Sequence, residues 1–273
     1  MGQADNNDAV MKEAWNTVAR FYQDRYAIQT KRIHYGPLAP SEDILQLLGK
    51  IDDTKYIIEL GSGAGQNAIV LAKQGAHTTA IDISGEQLAV GKRIAEEVGV
   101  EVAFVEGSFL DFTTMQYDGV ADIVLSVYAL QYCTDMDEMI AVFKSVAKAL
   151  KPDGRFVFSL DHPIRAHGYW KDNVFIIDNY FDRDQKEWLY KFPEADLAPR
   201  MVGSFKTLSD YYTALMATGF EVKQILEPAP IHIDDNSKFG VHSSYGNNSP
   251  DDPFSYDHLK RIPGTIIFQA FKL

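Results

Sequence analysis

Residues 56–65 read Tyr56-Ile57-Ile58-Glu59-Leu60-Gly61-Ser62-Gly63-Ala64-Gly65, and this stretch decides how the chain folds. A short apolar run of this kind suits a strand buried on both faces of a parallel sheet. It leads directly into three alternating glycines, and residues 66–74 then have helix-forming character. Glycines at a strand-to-helix junction allow a tight turn and let backbone N–H groups come close to a ligand. The loop is therefore expected at the carboxyl edge of a doubly wound sheet, where such folds bind nucleotides.

The spacing narrows the ligand. A dinucleotide-binding turn places a further glycine or alanine after the third position, to pack helix against strand beside a pyrophosphate. Here Gln66 stands in that place, and Glu59 precedes the first glycine by two residues. A carboxylate there repels a pyrophosphate and suits an ammonium or a sulfonium. The next expected strand, residues 78–83, carries Asp82, about 20 residues past the glycines, where an acid can hold ribose hydroxyls. With these features the chain resembles the class I S-adenosylmethionine (SAM) methyltransferases. The resemblance is most specific over residues 55–160, moderate over 205–228 and weak between 161 and 206. It implies SAM as the cofactor and a small molecule as the methyl acceptor. Residues 31–37 include His34-Tyr35-Gly36-Pro37, which resembles a segment of small-molecule methyltransferases.

The chain has 273 residues, enough for one domain with an appendage. Net charge is −12 and Lys/Arg pairs such as Lys31-Arg32 and Lys92-Arg93 stand isolated, so a phosphate backbone is a poor partner. The single cysteine, Cys133, fits a reducing compartment, and no apolar run reaches the length of a membrane span. A cytoplasmic protein acting on a small molecule, without nucleic acid or membrane partners and as monomer or homodimer, is the expectation. No His-x-x-x-His or Cys-x-x-Cys pair suggests a metal, and the acid run Asp234-Asp235 reads as a solvated loop.

Strands and helices alternate from residue 56 to residue 160, the pattern of a parallel sheet covered on both faces. Residues 1–10 read as frayed, and Val10, Trp15, Val18, Phe21, Tyr22 and Tyr26 recur at helical spacing up to about residue 27. Ser41 opens a helix expected to stop at Gly49, and Ser84 with Gln87 forms a capping box. Strands follow at about 101–106, 121–127 and 155–160, with a helix at 135–150 and a turn at 151–154. A helix capped by Thr207 and two closing strands, 221–227 and 265–271, complete the core. A long loop carrying Pro228, Pro230, Gly240, Gly246, Pro250 and Pro253 separates those strands. The fold expected is α/β, a doubly wound, mostly parallel, seven-stranded Rossmann-like sheet whose final strand inserts antiparallel at the edge. Its parts are a helical cap at 1–40, the SAM-binding core at 41–160, an insertion at 161–206 and the completion of the sheet at 207–273.

Cofactor contacts are expected at the strand ends: Glu59, Gly61, Ser62 and Gly63 after the first, and Asp82, Ile83 and Gln87 around the second. Ser108 and Phe109 follow the third strand, with Asp111 in reach of the same place. The resemblance puts Ser126, Tyr128 and Gln131 beside the methionine moiety, and Tyr35 as a donor to its carboxylate. His162, directly after the fifth strand, is the candidate general base, and Tyr22 and Tyr132 are candidate polar contacts in catalysis. The insertion holds eight aromatics between Tyr169 and Phe192. It reads as a lid over an apolar, aromatic or amine-bearing acceptor, or as a packing interface. A SAM-binding protein without transfer activity and a nicotinamide oxidoreductase are the competing readings. Gln66 and Glu59 count against the second.

Overall fold

In the computed structural model, which describes residues 2–26, 28–231 and 254–273, the chain enters through a long helix, α1 (Gly2–Tyr26). It begins well before the expected start, so residues expected to fray are helical. The short α2 (Glu42–Leu45) replaces the longer helix expected there, because Gln46 turns left-handed. The Glu42 carboxylate then accepts the Leu47 and Leu48 amides that a continuing helix would have bonded.

The alternating core follows: β1 (Tyr56–Leu60), α3 (Gln66–Lys73), β2 (His77–Asp82), α4 (Gly85–Val98) and β3 (Ala103–Glu106). Next come α5 (Phe109–Phe112), β4 (Ala121–Val127), α6 (Met136–Ala149) and β5 (Leu150–Asp161). The turn expected at 151–154 is a bulge inside β5, where pairing to β4 jumps from Leu150 to Arg155. The insertion is built of α7 (Pro163–Ala166), a hairpin of β6 (Gly168–Lys171) with β7 (Val174–Ile177), and a hairpin of β8 (Lys186–Leu189) with β9 (Arg200–Gly203). Helix α8 (Leu208–Ala217) has the Thr207–Asp210 capping box, and β10 (Phe220–Leu226), α9 (Tyr256–Leu259) and β11 (Thr265–Lys272) end the chain. Asp234-Asp235 and the loop positions Gly240, Gly246, Pro250 and Pro253 lie outside the described residues.

Among the described residues seven strands form one sheet in the order β10-β11-β5-β4-β1-β2-β3. Every pairing is parallel except those of β11, which runs antiparallel to both β5 and β10. The expected seven-stranded, mostly parallel sheet is therefore present. The antiparallel strand, however, lies one place in from the edge. β11 is buried along most of its length, whereas β10 alternates with exposed Glu221 and Gln224, so the polar strand takes the open edge. Two apolar layers cover the faces: α6 and α8 pack through Met139, Val142, Phe143, Tyr211 and Leu215, and the opposite layer uses Val70 and Leu71 of α3 with Leu47 and Leu48.

The strand order reverses between β1 and β4. That switch point opens a crevice at the carboxyl ends of the two strands, where ligands of doubly wound sheets bind.

Candidate SAM-binding cleft

The glycine loop is fixed from two sides. The Gly61 and Ser62 amides donate to the Ile81 carbonyl at 2.8 and 2.9 Å, tying β1's end to β2. Asp82 then holds the next turn, accepting from the Gly63 amide at 2.7 Å and the Ser84 amide at 2.9 Å. Gly61 and Gly63 both have positive φ, 69° and 57°. A side chain on Gly61 would strike the Ala129 Cβ at 2.3 Å, whereas one on Gly63 would meet nothing within 4 Å. Gly63 thus leaves open a space that borders the cleft, with its backbone already aligned by an acid.

The cleft encloses about 1100 Å³ including its mouth. Glu59, Gly61, Ser62 and Gly63 line it from β1; Asp82, Ile83 and Gln87 from β2 and α4. Ser108, Phe109, Tyr128 and Tyr132 close it at the ends of β3 and β4, and Tyr22 faces it from α1. Twelve of the expected site residues are thus brought together.

Four expected residues are not. Tyr35 is fully buried and its hydroxyl donates to Glu42, so it braces α2 instead of facing the cleft. The Ser126 hydroxyl donates to the Leu60 carbonyl at 2.7 Å and joins two strands. Gln131 accepts from the Asp161 amide at 3.3 Å and is absent from the lining. His162 is buried with both ring nitrogens engaged: Nε2 pairs with Glu227 at 2.6 Å, and Nδ1 accepts from the Ile164 amide at 3.2 Å as the cap of α7. A histidine tied in this way has no nitrogen to offer an acceptor, and burial lowers its pKa.

Two other expectations change in detail. Ser84 caps α4 through the Gln87 amide, but the reciprocal bond is missing, since the Ser84 amide goes to Asp82. The Gln87 side chain instead accepts from Gln23 at 2.7 Å. Ser108 and Asp111 cap each other around α5, so Asp111 is committed to the backbone; of the two, only Ser108 lines the cleft. The Tyr128 hydroxyl, 2.7 Å from Thr265, points away, while its ring fills the space above Gly36.

Beside the expected Tyr22, helix α1 contributes residues that the sequence reading missed. Asp8, Met11, Trp15 and Tyr22 all line the cleft, at intervals of three, four and seven residues, one face of a helix. Gln23 clasps the glycine loop, accepting from Gln66 and donating to Gln87. Glu138, at the start of α6, also lines the cleft. The helical stripe was visible in the sequence; nothing there told which face would meet a ligand. The aromatic insertion, expected to form the lid, supplies none of the described lining residues. Its Trp188 stacks on Tyr132, and Tyr190 meets Trp15 edge-on and bonds Tyr26 at 2.9 Å.

Electrostatics favour a cation beside the glycine loop. Burial pushes the Glu59 carboxyl up to about 8, although the Ala68 amide and Asn67 side chain pull it back, and Asp82 adds to the rise. Burial likewise brings Asp82 up to about 6, against its two amide bonds. A positive ligand draws protons off such groups. Among the described residues there is no group of His, Cys, Asp and Glu able to hold a metal, and no helix is long and apolar enough to cross a membrane.

Sheet order and glycine loop are those of the Rossmann-like methyltransferase fold. Residues 57–154 match the family described as "Methyltransferase domain". The chain is 26% identical to the ubiquinone biosynthesis O-methyltransferase of Cronobacter sakazakii, over 71% of its own length and 66% of that protein. It spans about half the length of a second such enzyme, from Actinobacillus pleuropneumoniae, with 49% covered. A SAM-dependent methyltransferase structure from Mesorhizobium loti superposes with a TM-score of 0.61 at 22% identity, covering 84% of this chain and 96% of that one. The [4+2]-cyclase SpnF superposes at 0.59 with 16% identity, covering 97% and 96%. Residues 57–154 are thus similar to a methyltransferase domain, and the chain shares the Rossmann-like fold of SAM-dependent methyltransferase structures.

Proposed function

We propose that the protein moves a methyl group from SAM to the oxygen, nitrogen or carbon of a small molecule held beneath α1. The observation that carries the reading is the open space at Gly63, its amide fixed by Asp82 and with the acid of Glu59 lining the same cleft. In this reading the remaining lone pairs of Asp82 take the ribose hydroxyls, Ile83 and Phe109 flank the adenine, and Glu59 faces the cationic end. When bound, SAM supplies an already electrophilic methyl on a sulfonium. The chain's work is therefore alignment and exclusion of water, which α1 performs by closing over the cleft. Tyr22 and Tyr132 line the acceptor side.

The proposal includes a cytoplasmic site of action, a monomer or homodimer, and no nucleic-acid substrate; the net charge of −12 opposes a polyanion. Thermal unfolding with SAM, S-adenosylhomocysteine or NAD tests the donor: protection by the first two is expected, and protection by NAD alone would reject it. One finding favours a second reading. A cyclase shares the whole fold, so the cleft can in principle serve a reaction other than transfer. Labelled methyl appearing on an acceptor separates the two.

A further inference from the structure

Asn67 stands in the first turn of α3, directly behind the glycine loop, and is buried. A buried amide needs partners for one carbonyl oxygen and two N–H groups. Here Oδ1 accepts from the His34 backbone amide at 2.9 Å, and Nδ2 donates to the His34 carbonyl at 3.3 Å. One side chain thus clamps both backbone groups of His34, which lies in no helix or strand. His34, Gly36 and Pro37 line the cleft; Asn67 is absent from the described lining, so it acts through its neighbours.

The same turn of α3 reaches Glu59. The Ala68 amide donates to Glu59 Oε2 at 2.9 Å, and the Asn67 side chain bears on that carboxyl as a second donor. Both favour the charged form, which burial opposes. Across the sheet Glu59 pairs with Ala80 of β2 and Leu125 of β4, and neither carries a charge. Asp82, at the end of β2, disfavours ionisation of Glu59. His34 supplies no cation near neutral pH, because burial lowers its pKa to about 4. A wall of the cleft and its acid therefore share one uncharged amide.

We infer that Asn67 is a positioning residue for the cofactor, seating the His34–Pro37 wall against α3 and holding Glu59 as a carboxylate toward a cation. This rests on the SAM reading and adds a residue that works through Glu59. A buried polar network of this kind fixes one arrangement when every member is satisfied. An amide that only braced the chain would need the His34 bonds alone. Its second contact links the brace to the charge of Glu59, and that link is what an experiment can read.

The test is calorimetric titration of the full chain with SAM from about pH 6 to about pH 9, for the wild type, Asn67→Leu, Asn67→Asp, and each variant combined with Glu59→Gln. Titration of SAM itself is common to all of them and cancels in the comparison. Wild-type affinity is expected to rise with pH and level off near the Glu59 pKa of about 8. Asn67→Leu removes a donor to the carboxylate. It should weaken SAM at least about threefold near neutral pH and move the levelling point up by at least about half a pH unit. Asn67→Asp keeps the shape and the acceptor for the His34 amide, loses both donors and adds an acid, so its levelling point should move up further. It also carries the test if Asn67→Leu does not fold. With Glu59→Gln present, both shifts should vanish. An unmoved levelling point in Asn67→Asp, or a shift that survives Glu59→Gln, overturns the inference and leaves the SAM reading standing. No SAM binding by the wild type overturns that reading, and this inference with it.

Discussion

Glu59 ends up as a carboxyl with almost no access to water, and burial sets its behaviour more than any neighbour does. Its pKa in the fold, about 8 against an ordinary 4.5, means that folding favours the protonated form. The stability it contributes is complete below its unfolded value and lost as pH rises through the folded one. The melting temperature of the ligand-free protein should therefore fall as pH rises from about 5 to about 9, and Glu59→Gln should flatten that slope. SAM affinity should move the other way, rising across the same window with uptake of the cation and release of a proton. Calorimetry in buffers of different ionisation enthalpy measures both the affinity and the proton. Gly63→Ala should abolish cofactor binding while costing about 1–2 kcal/mol of stability for its left-handed backbone. His162→Ala should lower the melting temperature with SAM affinity unchanged, since the ring braces Glu227 and α7. The glycines and Asp82 were legible because backbone geometry demands them locally. Ser126 and His162 were not, because the groups that engage them follow from tertiary packing: Leu60 lies 66 positions from Ser126, and Glu227 lies 65 from His162.

At the scale of elements, the aromatic insertion and the entry helix divide the work differently from the expectation. Periodicity along α1 announced an amphipathic helix, but an apolar stripe reads the same whether it meets core or ligand. In the insertion, aromatic density suggested a lid; the hairpin of β8 and β9 instead backs α1 through Met201, Val202 and Trp188. In the proposed reading α1 covers the ligand and the insertion holds α1 down. Trp188→Ala should therefore speed hydrogen exchange in α1 relative to the sheet, with SAM affinity weakened indirectly. Gln23→Ala, which cuts the clasp to Gln66 and Gln87, should weaken SAM binding by about 1 kcal/mol, within the range of ordinary hydrogen bonds.

Across the whole molecule, alternation between residues 56 and 160 was enough to set the sheet type, while the switch point between β1 and β4 is read from the strand order. The place of β11 depended on a comparison between two strands: the more buried one lies inside, and the one with exposed polar residues takes the edge. The same sheet order delivers Glu59 and Gly63 from β1 and its loop, and Asp82 from β2, to one crevice, and that convergence is the central claim. It is tested most directly by calorimetric titration of wild type and Asp82→Ala with SAM. Saturable binding of one SAM per chain is expected, weakened in the variant by about 1–3 kcal/mol for the loss of a charged hydrogen-bond partner. Equal affinity in the two proteins, or no binding of SAM by either, would contradict it.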